Sequence, residues 1–282
     1  MGLKILILCA GYGTRLQRDI LQDDSGKYNH LLGVPKALLP VGGKDALITH
    51  WLQILRKARI KVDTSVYVVT NAVFYESFIS WANNNGVPAS NIANNGTTCN
   101  EERLGAVSDI AFGLRSFQLY DSDVIIIGGD TLFKGDFNFE KLLERFMSVD
   151  NDGCFLTTYT VHDNATRKHG ILTLEDLSTK DMILVTGFLE KPDPRHTTSR
   201  NACPCFYLIK RETLPLVSSF LIESQNDKAQ TIENRDGPGN FLAWAINGKR
   251  VKFYAEKVGG RIDVGGLESY LEAKEYFKDL DT

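Results

Sequence analysis

Short apolar runs alternate with stretches of helical periodicity along the first 160 residues of the chain. Residues 3–9 are apolar on both strand faces, which is typical of a central strand in a parallel sheet. Residues 46–59 place apolar side chains three and four positions apart, which predicts an amphipathic helix. Further segments of the two kinds predict strands at 65–70, 123–127 and 154–161 and helices at 73–84, 105–118 and 139–148. These repeated strand–helix units predict an α/β fold with a doubly wound, mostly parallel sheet.

The pattern changes after about residue 160. Shorter strands, separated by polar stretches, are predicted at 170–174, 183–189, 204–209 and 250–256. Helices are predicted at 211–223, 239–247 and 266–278. We therefore expect a mixed sheet in a single domain over residues 1–282, with one half ending near residue 160 and the other half following it.

The composition is that of an ordinary globular protein. Of the 282 residues, 43% are hydrophobic and 24% are charged, and the net charge is −3. A net charge of this sign gives no broad basic surface, so nucleic acid is not an expected partner. The apolar start spans only about seven residues before Gly11, which is too short for a membrane span. We expect no membrane association and a cytoplasmic location.

The five cysteines show no framework of paired spacings. Cys203 and Cys205 flank Pro204 as an isolated pair, which favours strand packing over zinc ligation. We therefore expect reduced thiols, which fit the reducing cytosol.

The strand at 3–9 runs directly into a glycine loop that contains its own cation. Gly11 and Gly13 allow backbone N–H groups to approach phosphates closely, and Arg15 adds a forked guanidinium. Lys36 follows on a segment bracketed by two prolines and supplies a second cation. A phosphate-binding loop with two separated cations suits chemistry on a nucleoside triphosphate.

Two better known phosphate-binding patterns fit this loop poorly. In the dinucleotide fingerprint a third glycine lets the helix pack on the strand, and Leu16 occupies that position here. A Walker A loop would continue into Gly-Lys-Ser or Gly-Lys-Thr, and this loop does not. A purely structural glycine turn is the remaining alternative when the loop is taken alone.

Further motifs follow the glycine loop and the Pro35–Lys36 segment in a fixed order. They are Gly128-Gly129-Asp130 after an apolar strand, Gly170 after His169, Glu190-Lys191-Pro192, Asn201-Ala202, and Arg261-Ile262-Asp263-Val264-Gly265 before a helix. Together the motifs span residues 3–273 and resemble those of the sugar-nucleotide pyrophosphorylases. The resemblance implies a Rossmann-like nucleotidyltransferase fold, without the β-helix tail of some relatives. It also implies Mg²⁺-dependent transfer of a nucleoside monophosphate from NTP to a sugar 1-phosphate, giving an NDP-sugar and pyrophosphate.

The resemblance also assigns a role to each motif residue. Arg15 would bind the β- and γ-phosphates and Lys36 the α-phosphate, as the two catalytic cations. Asp130 and Asp263 would hold Mg²⁺, which needs only one or two carboxylates beside substrate phosphates. The substrate-binding positions would be Leu8, Ala10, Gly11, Gly13, Thr14 and Gly105 for the nucleotide, and Gly170, Glu190, Lys191 and Asn201 for the sugar phosphate.

Two segments depart from the family pattern. Residues 100–104 replace the usual base-reading stretch, and residues 203–205 replace a glycine region on the sugar side, so the base and the sugar stay unidentified. Two alternatives stay open: a cytidylyltransferase acting on a non-sugar phosphate such as phosphocholine, and a non-catalytic regulatory paralogue. The paralogue would be expected to have lost cations or carboxylates, and all of them are present here. Assembly into a homo-oligomer is also left open.

Residues 17–34 link the two cationic motifs through a polar stretch that is longer than the family usually has. Such a segment beside a triphosphate site is either a lid or a solvated insertion. It holds Asp19, Asp23 and Asp24 and few large apolar residues. This composition predicts mobility without ligand and ordering with NTP.

Overall fold

In the computed structural model the chain is described over residues 2–135, 137–151, 153–177, 182–226 and 237–280. The strands are β1 (Leu3–Leu8), β2 (Val66–Thr70), β3 (Ile92–Asn94), β4 (Asp123–Gly128), β5 (Thr131–Phe133), β6 (Gly153–Thr160), β7 (Gly170–Leu177), β8 (Met182–Glu190), β9 (Asn201–Cys203), β10 (Phe206–Ile209), β11 (Lys252–Lys257) and β12 (Arg261–Asp263). The α-helices are α1 (Thr14–Leu21), α2 (Thr49–Lys57), α3 (Val62–Ser65), α4 (Tyr75–Asn85), α5 (Ala106–Ser116), α6 (Phe139–Ser148), α7 (Pro215–Asn226), α8 (Pro238–Asn247) and α9 (Leu267–Leu280). Helices and strands alternate along much of the chain, so the predicted α/β class is confirmed.

Most of the predicted elements lie close to their predicted positions. Among those that the pattern missed are β3, β5 and β12, which have three residues each and are too short to show a period of two. Helix α1 occupies the first part of the stretch 17–34, where no helix is predicted from the sequence. Its buried face consists of Leu16 and Ile20, and two apolar residues are too few to reveal a helical period.

The helices are short. Even α9 has 14 residues, whereas a membrane-spanning helix needs about 20 predominantly apolar ones. Over the described ranges, no helix combines the length and the apolar character needed to cross a bilayer.

The chain divides into two compact units, each built from separate stretches of sequence. Unit 1 comprises Met1–Leu6, Leu104–Ile127 and Phe133–Arg261. Unit 2 comprises Ile7–Arg103, Gly128–Leu132 and Ile262–Thr282. This division does not follow a single boundary near residue 160, because each unit takes residues from both sides of that position.

Unit 1 contains a mixed sheet with the strand order β11-β8-β7-β9-β6-β10-β4, followed by the first residues of β1. Strands β7, β8 and β9 pair antiparallel, as do β6, β10 and β4. Strand β11 pairs with β6 in parallel and with β8 antiparallel. Antiparallel neighbours need no crossover helix, which explains why strand–helix alternation is lost after residue 160.

Apolar side chains close the core of unit 1. Val124–Ile127 of β4 are buried, as expected for a strand that is covered on both faces. Helices α5, α7 and α8 pack against one another, and α8 also packs against β8. Phe220, Phe241 and Trp244 form the aromatic part of this contact, with ring centroids 5.7–6.2 Å apart. The packing fixes the start of α8 beside the end of β8.

Unit 2 contains the end of β1, followed in the sheet by β2 and β3. Strands β2 and β3 pair in parallel. Trp51 of α2 is fully buried, and its indole N–H donates to the carbonyl of Thr131 at 2.8 Å. Helix α9 packs against α1, and the Tyr270 hydroxyl donates to the carbonyl of Pro40 at 2.8 Å. These contacts hold the segments after β1, β4 and β12 on one scaffold.

Candidate active site

The glycine loop connects β1 to α1 in unit 2. Gly13 adopts the left-handed conformation, with φ 63° and ψ 24°, and its carbonyl accepts a hydrogen bond from the Gln17 N–H at 3.1 Å. Any residue with a side chain would be strained there, which explains why a glycine ends the loop. Thr14 and Arg15 are the first residues of α1, and the N–H groups and dipole at such a helix start favour an anion.

Two polar side chains outside the loop hold its backbone in place. Asn71, fully buried after β2, donates from Nδ2 to the Ala10 carbonyl at 2.9 Å and accepts from the Phe74 N–H at 3.1 Å. The Tyr12 hydroxyl donates to Thr97 Oγ1 at 2.8 Å. Neither anchor is among the site residues predicted from the sequence. Asn71 carried a usable signal, since it directly follows a buried strand, where α/β sheets bind their ligands.

A small cavity of about 120 Å³ opens beside the glycine loop. It is lined by the loop, by the Pro35–Ala37 segment and by the residues after β4. The lining residues are Leu8, Cys9, Gly11, Gly13, Pro35, Lys36, Ala37, Gly129 and Asp130. The aliphatic part of Lys36 packs on Gly13, with Cγ 3.4 Å from the position that a β-carbon would take. The structure thus brings the predicted residues Lys36 and Asp130 to the loop.

Gly129 lets the segment after β4 approach the end of β1. Its N–H donates to the Leu8 carbonyl at 2.9 Å. A β-carbon on Gly129 would overlap Cys9 Sγ and lie 3.0 Å from the Leu8 oxygen. Burial raises the pKa of the Cys9 thiol, and the nearby charge of Asp130 raises it further. The glycine therefore places Asp130 against the strand that begins the loop.

Gly129→Ala should destabilise the protein, whereas Gly11→Ala should not. A methyl group at position 129 would overlap the Cys9 thiol and press on the Leu8 carbonyl, so β1 would have to move. Overpacking of this kind costs about 1–3 kcal/mol. Nothing lies within 4 Å of the corresponding position on Gly11. Denaturant unfolding of the two variants measures the difference. Equal free energies of unfolding would show that the segment after β4 can move away from β1 without a loss of stability.

Asp263 lies at the end of β12, which pairs with β5. The Lys134 N–H donates to the Gly260 carbonyl at 3.0 Å, and the Val264 N–H donates to the Asp130 carbonyl at 3.2 Å. The two strands therefore run antiparallel. This pairing places Val264 opposite Asp130 and so brings the backbones of Asp130 and Asp263 close together, although the two residues are far apart in sequence.

Arg15 lies along the turn that follows Asp263. Arg15 Nη1 is 3.2 Å, and Asp263 Oδ2 is 3.7 Å, from the position that a β-carbon would take on Gly265. One helical turn further on, Asp19 Oδ2 accepts from the Leu267 N–H at 3.2 Å and so caps α9. Helix α1 therefore ties the glycine loop to the segment that carries the second carboxylate.

Carboxylate oxygens of the kind that Asp130 and Asp263 supply suit a hard divalent cation. Mg²⁺ keeps several waters and takes one or two carboxylates beside substrate phosphates, so a larger protein cage is not needed. In the part of the chain that the structure describes, no three histidine, cysteine, aspartate or glutamate side chains are grouped as a metal site. This donor set fits Mg²⁺ held jointly with a phosphate, and it does not fit a closed zinc site.

The predicted sugar-phosphate residues lie in unit 1. Gly170 on β7 is opposite Glu190 on β8 and opposite Cys203 on β9. Because neighbouring strands are about 4.8 Å apart, these residues form one short row across the sheet. Asn201 is on β9, two residues before Cys203, and donates from Nδ2 to Ser199 Oγ at 3.0 Å. The register therefore pairs the predicted residues Gly170 and Glu190 directly, and it places Asn201 opposite Leu172, two residues along the sheet from that row.

Glu190 is partly buried beside an exposed cation. Burial raises the pKa of the Glu190 carboxyl, and the Lys191 ammonium, 3.7 Å from Oε1, offsets part of that shift. Lys191 has a φ of 48°, a left-handed conformation that costs a residue with a side chain about 1–2 kcal/mol. A hydrogen bond from its N–H to the His169 carbonyl at 3.0 Å helps to hold it there. Strain of this kind is typical of functional sites.

Gly105 lies immediately before α5 in unit 1, and its carbonyl accepts from the Asp109 N–H at 2.9 Å. The other predicted nucleotide-binding residues, from Leu8 to Thr14, belong to unit 2. Each unit thus holds its own group of predicted residues. Unit 2 holds Leu8, Ala10, Gly11, Gly13, Thr14, Arg15, Lys36, Asp130 and Asp263, and unit 1 holds Gly105, Gly170, Glu190, Lys191 and Asn201.

The stretch 17–34 contains regular structure. Helix α1 continues through Leu21, and a 3₁₀ turn spans Asn29–Leu31. Gln17 Oε1 accepts from the Gly33 N–H at 2.8 Å, which closes the segment at its base. The lid hypothesis therefore concerns the residues between α1 and the 3₁₀ turn.

We expect this segment to gain amide protection when NTP and Mg²⁺ bind. Closure over a triphosphate would have to order the residues that join the two cationic motifs. Hydrogen exchange with and without NTP measures the change directly. Equal protection in both states would identify a passive insertion, and a shortened segment would then leave kcat unchanged.

Solved nucleotide-sugar enzymes share this fold. A ligand-free UDP-glucose pyrophosphorylase matches with a TM-score of 0.71 and 16% identity over 100% of both chains. A UDP-glucose pyrophosphorylase complexed with UDP-glucose gives a TM-score of 0.69 and 16% identity over 99% of this chain and 100% of that one. A Bacillus anthracis protein described as a glucose-1-phosphate thymidylyltransferase, in complex with a sucrose, gives a TM-score of 0.69. Its identity is 19% over 99% of this chain and 96% of that one. At these identities the likeness establishes the fold.

The family is established by the sequence itself. No curated protein matches the chain. The model of the nucleotidyl transferase family matches residues 4–279, which is nearly the whole length. This match confirms the family resemblance inferred from the order of the motifs. The chain belongs to the nucleotidyl transferase family.

Proposed function

We propose that the protein catalyses Mg²⁺-dependent transfer of a nucleoside monophosphate from NTP to a sugar 1-phosphate, with release of pyrophosphate. Membership of the nucleotidyl transferase family supports the reaction class. The observation that carries the proposal is the grouping of cations and carboxylates in unit 2. Lys36 and Asp130 line the cavity beside the glycine loop, and the side chains of Arg15 and Asp263 both lie beside Gly265.

The main requirement of this reaction is neutralisation of negative charge. An oxygen of the acceptor phosphate attacks the α-phosphorus of the NTP, the bond to the β-phosphate oxygen breaks, and pyrophosphate leaves with its charge. Both substrates are anions, so positioning and neutralisation supply most of the catalysis. Lys36 would stabilise charge at the α-phosphate. Arg15, at the start of α1, would bind the β- and γ-phosphates through its forked guanidinium.

Asp130 and Asp263 would hold Mg²⁺ together with the triphosphate. When bound, the ion supplies Lewis-acid neutralisation of the phosphate oxygens. The pairing of β5 with β12 holds the backbone segments that carry the two carboxylates close together, which supports a shared role for them.

The residues of unit 1 favour a hydroxyl-rich acceptor. Lys191 would pair with the acceptor phosphate, because it is a largely exposed cation held in a fixed conformation. The ionised Glu190 and the Asn201 amide would accept hydrogen bonds from sugar hydroxyls. Glu190 could also attract the quaternary ammonium of phosphocholine, but phosphocholine has no hydroxyl for the Asn201 amide, so Asn201 is the residue that favours a sugar.

A matrix of pyrophosphate-release assays tests the proposal. The four common NTPs are combined with a panel of sugar 1-phosphates and with phosphocholine, each with Mg²⁺ and with EDTA. We expect release with at least one sugar 1-phosphate and none in EDTA. Release with phosphocholine alone would support the non-sugar transferase, and a folded protein inactive with every pair would support the regulatory paralogue.

The acceptor KM should rise as the pH falls through the raised pKa of Glu190. Protonation removes the charge and one acceptor site from the carboxyl, so below this pKa the acceptor KM should rise and level off about ten- to a hundredfold higher. The acceptor phosphate also titrates, and Glu190→Gln separates the two effects because its amide does not. If the acceptor KM of Glu190→Gln rises at low pH in the same way as that of the wild type, the pH dependence belongs to the acceptor phosphate and not to Glu190.

A further inference from the structure

The carboxylate of Glu190 lies between two glycines of unit 1. Gly170 faces Glu190 across the β7–β8 ladder, and a β-carbon there would lie 3.1 Å from Oε2. Gly239, in the first turn of α8, comes closer still. A β-carbon on Gly239 would overlap Oε2 and Cδ and lie 3.1 Å from Oε1. The carboxylate therefore occupies the space that any side chain at position 239 would need.

The local backbone gives no reason for a glycine at position 239. Its φ is not in the left-handed region, where glycine has an advantage. The residue is the second of α8, after Pro238, and glycine is one of the poorest helix formers. Alanine would suit the helix better, so the reason for the glycine lies in its contact with Glu190.

Several contacts favour this orientation of the Glu190 side chain. Its side chain is 22% exposed, and its Oε1 lies 3.7 Å from the Lys191 ammonium. The ladder with β7 fixes its backbone opposite Gly170. An ionised carboxylate is also favoured beside the first turn of a ten-residue helix, where the dipole is positive. The orientation of the carboxylate is thus set jointly by β7, α8 and Lys191.

We propose that Gly239 is a positioning residue for the acceptor, because it leaves the space that fixes the Glu190 carboxylate where it receives the hydroxyls of a sugar 1-phosphate. The inference rests on the proposed function. A side chain at position 239 displaces the carboxylate and weakens acceptor binding. It leaves the predicted NTP-binding residues of unit 2 unchanged.

A double-mutant cycle between Gly239→Ala and Glu190→Ala isolates this contact. The acceptor is the sugar 1-phosphate with the fastest pyrophosphate release in the panel above. Gly239→Ala should raise the acceptor KM at least about tenfold and leave the NTP KM within about twofold. In the Glu190→Ala background the same substitution should not change the acceptor KM further, because no carboxylate remains to be displaced. Glu190→Asp should partly rescue Gly239→Ala, since the shorter side chain makes room for the methyl group.

The melting temperature provides a readout that does not depend on the reaction. Gly239→Ala should lower Tm when Glu190 is present, and should leave it unchanged or raise it when residue 190 is alanine. If the single variant does not fold, folding of the double variant gives the same answer. An equal loss of Tm in both backgrounds would overturn the proposal, and so would an unchanged acceptor KM in a folded Gly239→Ala protein. Lack of pyrophosphate release by the wild type would instead overturn the proposed function, and the acceptor role of Gly239 with it. The melting temperatures would still show whether Gly239 and Glu190 are in contact.

Discussion

Asp130→Asn should lower kcat/KM by at least about a hundredfold while the protein stays folded, because several kcal/mol of transition-state stabilisation depend on a metal ligand. The amide has almost the same size as the carboxylate but carries no charge, so the divalent cation loses an anionic ligand. The fold should survive because the contact that joins Asp130 to β12 uses its backbone carbonyl, which accepts from the Val264 N–H.

Pyrophosphate release over a range of Mg²⁺ concentrations measures this effect. The variant should need more Mg²⁺ for half its maximal rate, as well as turning over slowly. Asp63→Asn is a matched control, because Asp63 is an exposed aspartate of the same unit, in the first turn of α3. Near-normal turnover of Asp130→Asn in Mg²⁺ would remove Asp130 from the metal site.

The first part of the fold is predictable because its buried strands are uninterrupted apolar runs. Val124–Ile127 of β4 are buried, so burial and hydrophobicity coincide along the strand. Strand β12 has no such signal: it has three residues, and it exists because it pairs with β5. Long-range pairing of this kind is not encoded in local periodicity, so the sequence could not predict it.

Individual residues of the candidate site can be predicted from local motifs, but the contacts between them cannot. The order of the motifs singles out Asp130 and Asp263 individually, and the β5–β12 pairing shows that their backbones lie close together. Gly239 belongs to none of the motifs, and in sequence it looks like any glycine near a helix start. Its contact with Glu190 depends on the packing of α8 against β8, which only the structure reveals.

Arg15→Ala should lower kcat by about a hundredfold or more and change the NTP KM much less, because preorganised charge on a leaving group acts mainly in the transition state. Negative charge on the departing pyrophosphate grows as the bond to the α-phosphate breaks. Arg15 is exposed at the start of α1, where the helix dipole also favours that charge. Its side chain lies along Gly265 and Gly266, so the guanidinium is supported before substrate binds.

Two further variants decide how Arg15 acts. Arg15→Lys should restore only part of the rate, because an ammonium is a point charge and cannot bind phosphate oxygens in the bidentate geometry of a guanidinium. Arg18→Ala is the matched control, because it removes an exposed arginine of the same helix that pairs with Asp19 Oδ1 at 3.5 Å. The control should keep kcat near the wild-type value, which would show that general loss of positive charge on α1 is not responsible. If Arg15→Ala instead raised the NTP KM and left kcat unchanged, Arg15 would contribute to ground-state binding of the triphosphate and not to the departure of pyrophosphate.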